Sequence, residues 1–274
     1  DSSENLISYL ERNSYSKVFI DKYLVAMGSA IWSANWENVL DFPAIFFISF
    51  FHNHGLLSLR NRPQWYVIEG GSREYLAPLT SNFKNNILTN CRVTSISRQK
   101  RDKVRIHLQS GQTHIFDHVI MATHSDQALK LLEDPCEEER QILGAIPYQV
   151  NDVILHTDTQ LLPKNPKTWS SWNYRLDPNK DRATVTYNMN ILQGISAPET
   201  FCITLNDSKS INTSKILGRF EYQHPVFSFK ASLAQKNWAT INGVRNTWYC
   251  GAYWGNGFHE DGVNSALKIA KKLA

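Results

Sequence analysis

Long apolar runs, paired cysteines and a strong net charge are all missing from this chain of 274 residues. The longest apolar stretch, residues 42–51, is half the roughly 20 residues that a membrane-spanning helix needs, so no transmembrane segment is predicted. A net charge of +4 is too weak to indicate a nucleic-acid partner. Hydrophobic residues still make up 42% of the chain, which permits a sizeable core and excludes disorder of the whole chain.

The four cysteines are far apart and form no CxxC pair: Cys91, Cys136, Cys202 and Cys250. This usage argues against a disulfide-rich scaffold and a zinc site, and it favours the reducing cytoplasm. His52 and His54 have no acidic residues at matching spacing, so no metal site is predicted. No signal peptide is visible, and because the chain begins at Asp1 rather than Met, we expect a fragment or a processed chain.

Two loop motifs are incomplete or missing. No GxGxxG is present, so the residues alone do not predict a self-contained dinucleotide-binding domain. Gly70-Gly71-Ser72 lacks the closing glycine of a GxSxG nucleophile elbow, which argues against a serine hydrolase.

Helical spacing of apolar residues dominates the start of the chain, up to residue 36. The apolar run 42–51 predicts a buried helix that ends in the loop 52–55. Residues 65–71 predict a short strand, and Ser72 is the predicted cap of the helix that follows.

Three segments alternate apolar and polar residues and predict a β-meander: 91–97, 104–109 and 114–121. The basic run 98–105, which contains the turn 99–102, has no aromatic residues for base stacking and is interpreted as a solvated hairpin turn. Thr123 or Ser125 is expected to cap the next helix. A buried strand that leads into a capped helix is a ligand-binding geometry in open α/β sheets.

The rest of the chain predicts a second domain with an antiparallel or mixed sheet. Its predicted strands are 153–156, 183–188 and 201–205, and its predicted helices are 137–143 and 231–239. A short strand at 247–251 and a final helix follow. The apolar stripe expected to pack that helix on a sheet is Val263, Ala266, Leu267 and Ala270, with Lys268, Lys271 and Lys272 on the solvent side.

The most informative segment is 251–266. Its glycines at 251, 255 and 257 let the backbone approach a ligand before a helix that is predicted to open at Asp261. The free N–H groups of a helix start favour an anionic ligand atom. The alternative is a plain glycine turn with Asp261 as the helix cap. The eight tryptophans either line an apolar substrate tunnel or belong to the core.

Taken together, the motifs resemble the FAD-dependent amine oxidase-like flavoproteins, and within them the bacterial group described as predicted NAD/FAD-binding proteins. The motifs that carry the resemblance are AIWS (30–33), FFHNHGLL (50–57), RPQWYVIEGGSREYL (62–76), ATHSDQALKLL (122–132), SSWNY (170–174), VTYNMNILQ (185–193), YQHPVF (222–227) and GAYWGNGFHEDGVNSAL (251–267).

The resemblance implies a mixed α/β (α+β) fold of two domains. One is an FAD/NAD(P)-binding-like domain, incomplete at its N-terminus, in residues 63–133 and 246–274. The other is a substrate domain with a mixed sheet and helices, in residues 1–62 and 134–245.

The resemblance also implies site residues. Those expected to contact FAD are Gly70, Gly71, Val93, Ala122, Thr123, Gly251, Glu260, Asp261, Gly262 and Val263. Val93 is expected to pair its backbone with the adenine, and the helix start at residues 261–263 to meet the pyrimidine edge of the flavin. His259 or Phe258 is expected to stand over the flavin, and His259 is the candidate catalytic residue.

The N-terminal βαβ unit of the family is missing before Asp1, so we expect it upstream or on a partner chain. One hypothesis is an FAD-dependent oxidoreductase that takes a hydride from an apolar small molecule or lipid, such as a fatty-acyl chain, with amine oxidation as an alternative. The rival is a non-catalytic remnant or binding module that has lost the cofactor. Peripheral membrane contact through residues 42–51 and the basic last helix is an accessory expectation of the first hypothesis.

Overall fold

The computed structural model describes residues 4–32, 34, 36–58, 60, 63–64, 66–98, 103–175 and 184–274. The fold is mixed α/β, as predicted. The predicted turn 99–102 lies outside the described residues, as do Ser33, Arg62 and Trp65 of the motifs above.

The α-helices in chain order are α1 (Leu6–Arg12), α2 (Lys17–Phe19), α3 (Val25–Trp32), α4 (Trp36–Leu40), α5 (Ala44–Asn53), α6 (Leu76–Thr80), α7 (Ser125–Leu131), α8 (Glu137–Leu143), α9 (Met189–Gln193), α10 (Phe229–Lys236), α11 (Trp238–Ile241) and α12 (His259–Leu273). The strands are β1 (Val93–Arg98), β2 (Val104–Leu108), β3 (Thr113–Phe116), β4 (Val119–Met121), β5 (Tyr148–His156), β6 (Trp172–Arg175), β7 (Thr184–Asn188), β8 (Cys202–Leu205), β9 (Ile216–Pro225) and β10 (Thr247–Tyr249).

The chain forms two compact units. Unit 1 consists of Asp1–Lys84 and Gln149–His224, and unit 2 of Asn85–Tyr148 and Pro225–Ala274. The domain boundaries that the resemblance implies stay a prediction.

Unit 1 begins with the predicted helices, α1 to α5. The buried helix predicted from the run 42–51 is confirmed as α5, in which Phe47 and Phe51 stack with their ring centroids 4.2 Å apart. Their exposed fractions are only 1% and 0%, so this face of the helix belongs to the core.

The strand predicted at 65–71 is wrong. Residues 66–68 have no strand partner in the described part of the chain, and Tyr66 is 87% exposed. A strand needs a neighbour to satisfy its N–H and C=O groups, so an apolar run without one stays irregular. Ser72 is not a cap either, because it is the first residue of the 3₁₀ turn Ser72–Tyr75 that precedes α6.

A five-stranded sheet completes unit 1, in the strand order β6-β7-β8-β5-β9. The pairs β6–β7, β7–β8 and β5–β8 are antiparallel, in agreement with the predicted antiparallel or mixed sheet. Sequence reasoning missed β6 and β9. The second of these contains Gly218 and ends at Pro225, residues that normally mark loops.

Unit 2 holds the predicted meander in altered form. Strands β1, β2 and β3 form an antiparallel sheet, but the third predicted strand divides after Phe116. Its second half, β4, leaves the meander and pairs in parallel with β10, with Met121 opposite Tyr249. Burial of Val119 and Met121 in this second sheet, at 8% and 4% exposure, explains the division.

The apolar stripe predicted for the last helix is wrong. Val263, Ala266, Leu267 and Ala270 are exposed, and α12 instead buries Ser265 and Ile269. Ile269 packs with Trp238, Trp248 and Cys250. The apolar residues of α12 occupy a wider arc around the helix axis than the face that is buried. Ser265 lies on the buried face because its hydroxyl is hydrogen-bonded to the backbone of Gly251 and Gly262.

No helix in the ranges given above is both long enough and apolar enough to cross a membrane.

Candidate functional site

The carboxyl ends of the parallel strands β4 and β10 lie side by side in unit 2. The Cys250 N–H donates to the Met121 carbonyl at 3.1 Å. The predicted site residue Ala122 directly follows β4, and Thr123 and Gly251 are the second residues after the ends of β4 and β10. Ligands of open α/β sheets bind at this edge.

The end of β10 is tied to the first turns of α12 through Ser265. The Gly251 N–H donates to Ser265 Oγ at 2.9 Å, and that hydroxyl donates to the Gly262 carbonyl at 2.7 Å. A Cβ on Gly251 would lie 2.5 Å from the ring of Tyr253, so only glycine fits there. A Cβ on Gly262 would meet only the Ala252 nitrogen, at 3.8 Å.

Asp261 holds the start of α12 together. The helix begins at His259 rather than at Asp261, and Phe258 is in the N-cap position. Asp261 Oδ2 accepts hydrogen bonds from the backbone N–H groups of Asn256 and Phe258, both at 3.0 Å. Asp261 is therefore not the N-cap residue, but its carboxylate lies in the first turn and reaches back to the backbone that precedes the helix. These bonds engage one of its two oxygens.

Of the remaining predicted site residues, three lie on α12 and three lie in other parts of the chain. His259 and Glu260 are exposed in the first turn of α12, and Val263 is 53% exposed. Val93 opens β1, opposite Leu108. Gly70 and Gly71 belong to unit 1, where both have positive φ.

Sequence reasoning missed a polar cluster at the start of α7. The N-cap position belongs to His124, not to Thr123 or Ser125. The Ser125 N–H donates to the Tyr148 hydroxyl at 3.0 Å, and the His124 ring stacks on the Tyr148 ring with centroids 4.3 Å apart. Burial raises the pKa of Tyr148, so its hydroxyl stays protonated.

Two atoms of this cluster have no hydrogen-bond partner among the described residues. They are Ser125 Oγ and His124 Nδ1, and Ser125 is fully buried. Buried polar atoms are rarely left unpaired, so this pair calls for a partner that the described residues do not supply, such as a water molecule, an ion or a ligand atom. The signal in the sequence was the polar run THSD directly after the apolar strand, but only the fold brings Tyr148 to it.

The family model described as flavin containing amine oxidoreductase matches residues 1–209. The chain belongs to this family. No curated protein matches it. Among solved structures, this family member is similar to a CLA-producing fatty acid isomerase from P. acnes, with 14% identity over all of this chain and 67% of the other, at a TM-score of 0.67.

Two further solved structures share the fold. Cyclohexylamine oxidase from Brevibacterium oxydans IH-35A has 13% identity over 99% of this chain and 68% of its own, at a TM-score of 0.63. Reduced UDP-galactopyranose mutase has 12% identity over all of this chain and 70% of its own, at a TM-score of 0.64. At these identities the likeness shows the fold alone.

The residues at the edge of the β4–β10 sheet fit a flavin nucleotide. The first turn of an α-helix leaves backbone N–H groups without an intrahelical acceptor, and such groups attract negatively charged oxygens. At the neighbouring strand end, Ser125 Oγ and His124 Nδ1 are two polar atoms without a hydrogen-bond partner in the described part of the chain. This donor-rich edge suits the phosphates and the pyrimidine oxygens of FAD.

Proposed function

We propose that this chain is part of an FAD-dependent oxidoreductase that acts on an apolar substrate, with a fatty-acyl chain as the preferred class. Membership of a flavin-containing family supports the cofactor. The proposed location of the flavin is supported by one observation: the ends of two parallel strands lie beside the start of α12. The chemistry that a bound flavin would supply is acceptance of a hydride from a C–H bond of the substrate.

An uncharged row of side chains across the sheet of unit 1 supports an apolar substrate. The strand register puts Trp172, Tyr187, Ile203 and Leu155 on one face of four neighbouring strands. Trp172 and Tyr187 meet edge to face with centroids 5.6 Å apart. All four are partly exposed, so the row is an accessible apolar wall of the kind that binds alkyl groups.

The fifth strand extends this wall. The Phe220 ring covers Gly218, where an added Cβ would lie 2.9 Å from the ring and 4.0 Å from Leu155 Cβ. Phe220 is 46% exposed and stacks on Tyr222. This row offers no carboxylate or lysine for a substrate amine, which favours an acyl chain over an amine.

His259 is the residue proposed to stand over the flavin. An imidazole there either packs against the ring system or transfers a proton. His259→Phe separates the two roles: unchanged turnover would rule out proton transfer.

No GxGxxG is present in the 274 residues, so we propose that residues upstream or a partner chain supply the phosphate loop. Peripheral membrane contact is proposed through α12 alone, because Phe47, Phe50 and Phe51 of the apolar run are buried. Failure of the protein to float with anionic vesicles at low salt would remove the membrane proposal.

The first experiment is the visible absorption spectrum after FAD is added and unbound FAD removed, with the 274-residue chain and the natural-length protein side by side. A retained flavin band supports the oxidoreductase. If both proteins stay colourless, the chain is a non-catalytic binding module.

Anaerobic addition of a long-chain fatty acid or of a primary amine to the yellow protein then identifies the substrate class. Bleaching of the flavin by the fatty acid supports the proposal, and bleaching by the amine alone identifies an amine oxidase. Tyr187→Arg should slow bleaching by the fatty acid, whereas Ile191→Arg, at an exposed apolar position outside the wall, should not.

A further inference from the structure

A cavity of about 170 Å³ lies in unit 2 along one side of α12. Of the predicted site residues, only Asp261 lines it; Gly262 and Val263 do not. Its lining consists of Gln235, Trp238, Trp254, Gly255, Asp261, Asn264, Ser265 and Lys268. The proposed cofactor role assigns nothing to this space.

Two indole rings and one ammonium group define the character of the cavity. Lys268 Nζ lies 3.9 Å from the centroid of the Trp238 ring, a cation–π contact. Lys268 has no ion pair in the described part of the chain. An ammonium has three N–H donors, and the ring face satisfies them only in part.

The polar groups of this cavity differ in how far they are engaged within the protein. The indole N–H of Trp238, a residue only 4% exposed, has no hydrogen-bond partner among the described residues. Asp261 accepts two backbone N–H groups through Oδ2, which leaves its second oxygen outside these bonds, and Ser265 Oγ both accepts and donates. Gln235 Nε2 donates to the carbonyls of Tyr253 and Gly255 at 2.8 and 2.7 Å, which fixes the wall.

We propose that this cavity binds a small aromatic carboxylate. The volume of about 170 Å³ suits one aromatic ring with a short substituent, since a space of about 150 Å³ is enough for benzene. Trp238 and Trp254 provide apolar surface for the ring. Lys268, with the amide of Asn264 beside it one turn earlier, provides donors for the carboxylate.

Titration of the 274-residue chain with benzoate tests the proposal, with the uncharged isostere benzamide as the matched ligand. The readout is the set of indole N–H signals in a ¹H–¹⁵N spectrum, with the Trp238 signal assigned from Trp238→Phe. We expect saturable movement of that signal by benzoate, with a dissociation constant on the order of 1 mM, and binding of benzamide about tenfold weaker.

Lys268→Met removes the ammonium and keeps most of the stem, and Lys271→Met is the control on the same helix outside the cavity. We expect benzoate to bind about tenfold more weakly to Lys268→Met and unchanged to Lys271→Met. No saturable movement in the unsubstituted chain would overturn the proposal, as would equal affinity of Lys268→Met and Lys271→Met. If Trp238→Phe fails to fold, the two lysine variants still decide the result.

Discussion

The guanidinium of Arg98 on β1 is bonded to the carboxylate of Glu139 on α8, 41 residues further along the chain. The exposed fractions of the two side chains are 1% and 0%. Glu139 also accepts from the Tyr249 hydroxyl at 2.6 Å and from the Cys136 N–H at 2.9 Å. Arg98 was expected to be solvated, but these bonds make it the centre of a buried link between β1, α8 and β10.

Removal of one charge from this link should strongly destabilise unit 2. Glu139→Gln leaves the buried guanidinium with only the carboxylate of Asp134, which is 35% exposed, as a charged partner. Breaking the buried pair costs about 3–5 kcal/mol of the free energy of unfolding. Urea unfolding measures the change. Glu137→Gln, at an exposed position of the same helix, is the control and should change stability by about 0.5 kcal/mol or less. Equal stability of the two variants would contradict the link.

The same carboxylate predicts acid sensitivity. Burial alone would raise the pKa of Glu139, but the hydrogen bonds from Arg98 and Tyr249 outweigh it and hold the pKa below the ordinary 4.5. The resulting stability is present above pH 4.5 and is lost as the pH falls toward the lower folded pKa. The free energy of unfolding should therefore fall less steeply with acid in Glu139→Gln than in the unsubstituted chain. Parallel slopes would exclude this contribution.

His156 in unit 1 predicts a second pH dependence, nearer neutrality. Burial lowers its pKa below 6.5, and its ring is held between Thr204 Oγ1 at 2.8 Å and the Asp158 N–H at 3.0 Å. Because Nδ1 accepts from that N–H, the ring is neutral in the fold. The unfolded chain therefore binds more protons, and stability falls as the pH drops through 6.5.

His156→Gln should reduce this slope between about pH 5 and pH 7, as measured by urea unfolding at several pH values. His118→Gln, at an exposed position, should leave the slope as it is. A slope in this interval that survives His156→Gln would assign it to another group.

Gly251 and Gly262 form a matched pair at the candidate site. Gly251→Ala should destabilise the chain by about 1–3 kcal/mol, because its Cβ meets the Tyr253 ring in a packed site. Gly262→Ala should keep or slightly raise thermal stability, because its Cβ has room and alanine favours the helix. A loss of FAD affinity in Gly262→Ala without a loss of stability would support a cofactor contact there. Unchanged affinity would argue against it.

Substitutions of Ser125 and Tyr148 should have different effects, because Ser125 is proposed to contact the cofactor and Tyr148 has a structural role. Tyr148→Phe removes the acceptor of the Ser125 N–H and should cost about 1–3 kcal/mol. Ser125→Ala removes a hydroxyl that has no hydrogen-bond partner among the described residues, so stability should not fall, while FAD affinity should fall. Thermal unfolding measures the stability of each variant, and flavin absorption measures its affinity for FAD. An unchanged FAD affinity in Ser125→Ala would remove this residue from the proposed site.

Local patterns predicted the elements whose signal lies in consecutive residues. The helix predicted at 137–143 is α8, and the apolar run gave α5. The failed strand predictions have one cause: strand partners are distant in sequence. Residues 114–121 read as one strand, but their second half pairs with β10, far along the chain. Residues 66–68 had the composition of a strand and found no partner.

The sequence by itself determined the family, the mixed α/β class and the glycine-rich segment before the last helix, because these depend on residue identity and order. Only the tertiary structure decided that Asp261 reaches back to the start of α12 and that Tyr148 receives the Ser125 N–H. It also decided that Arg98 is buried against Glu139. Each of these contacts depends on which strands pair and which helix face turns inward, and the energies that choose between such arrangements are summed over residues far apart in the chain.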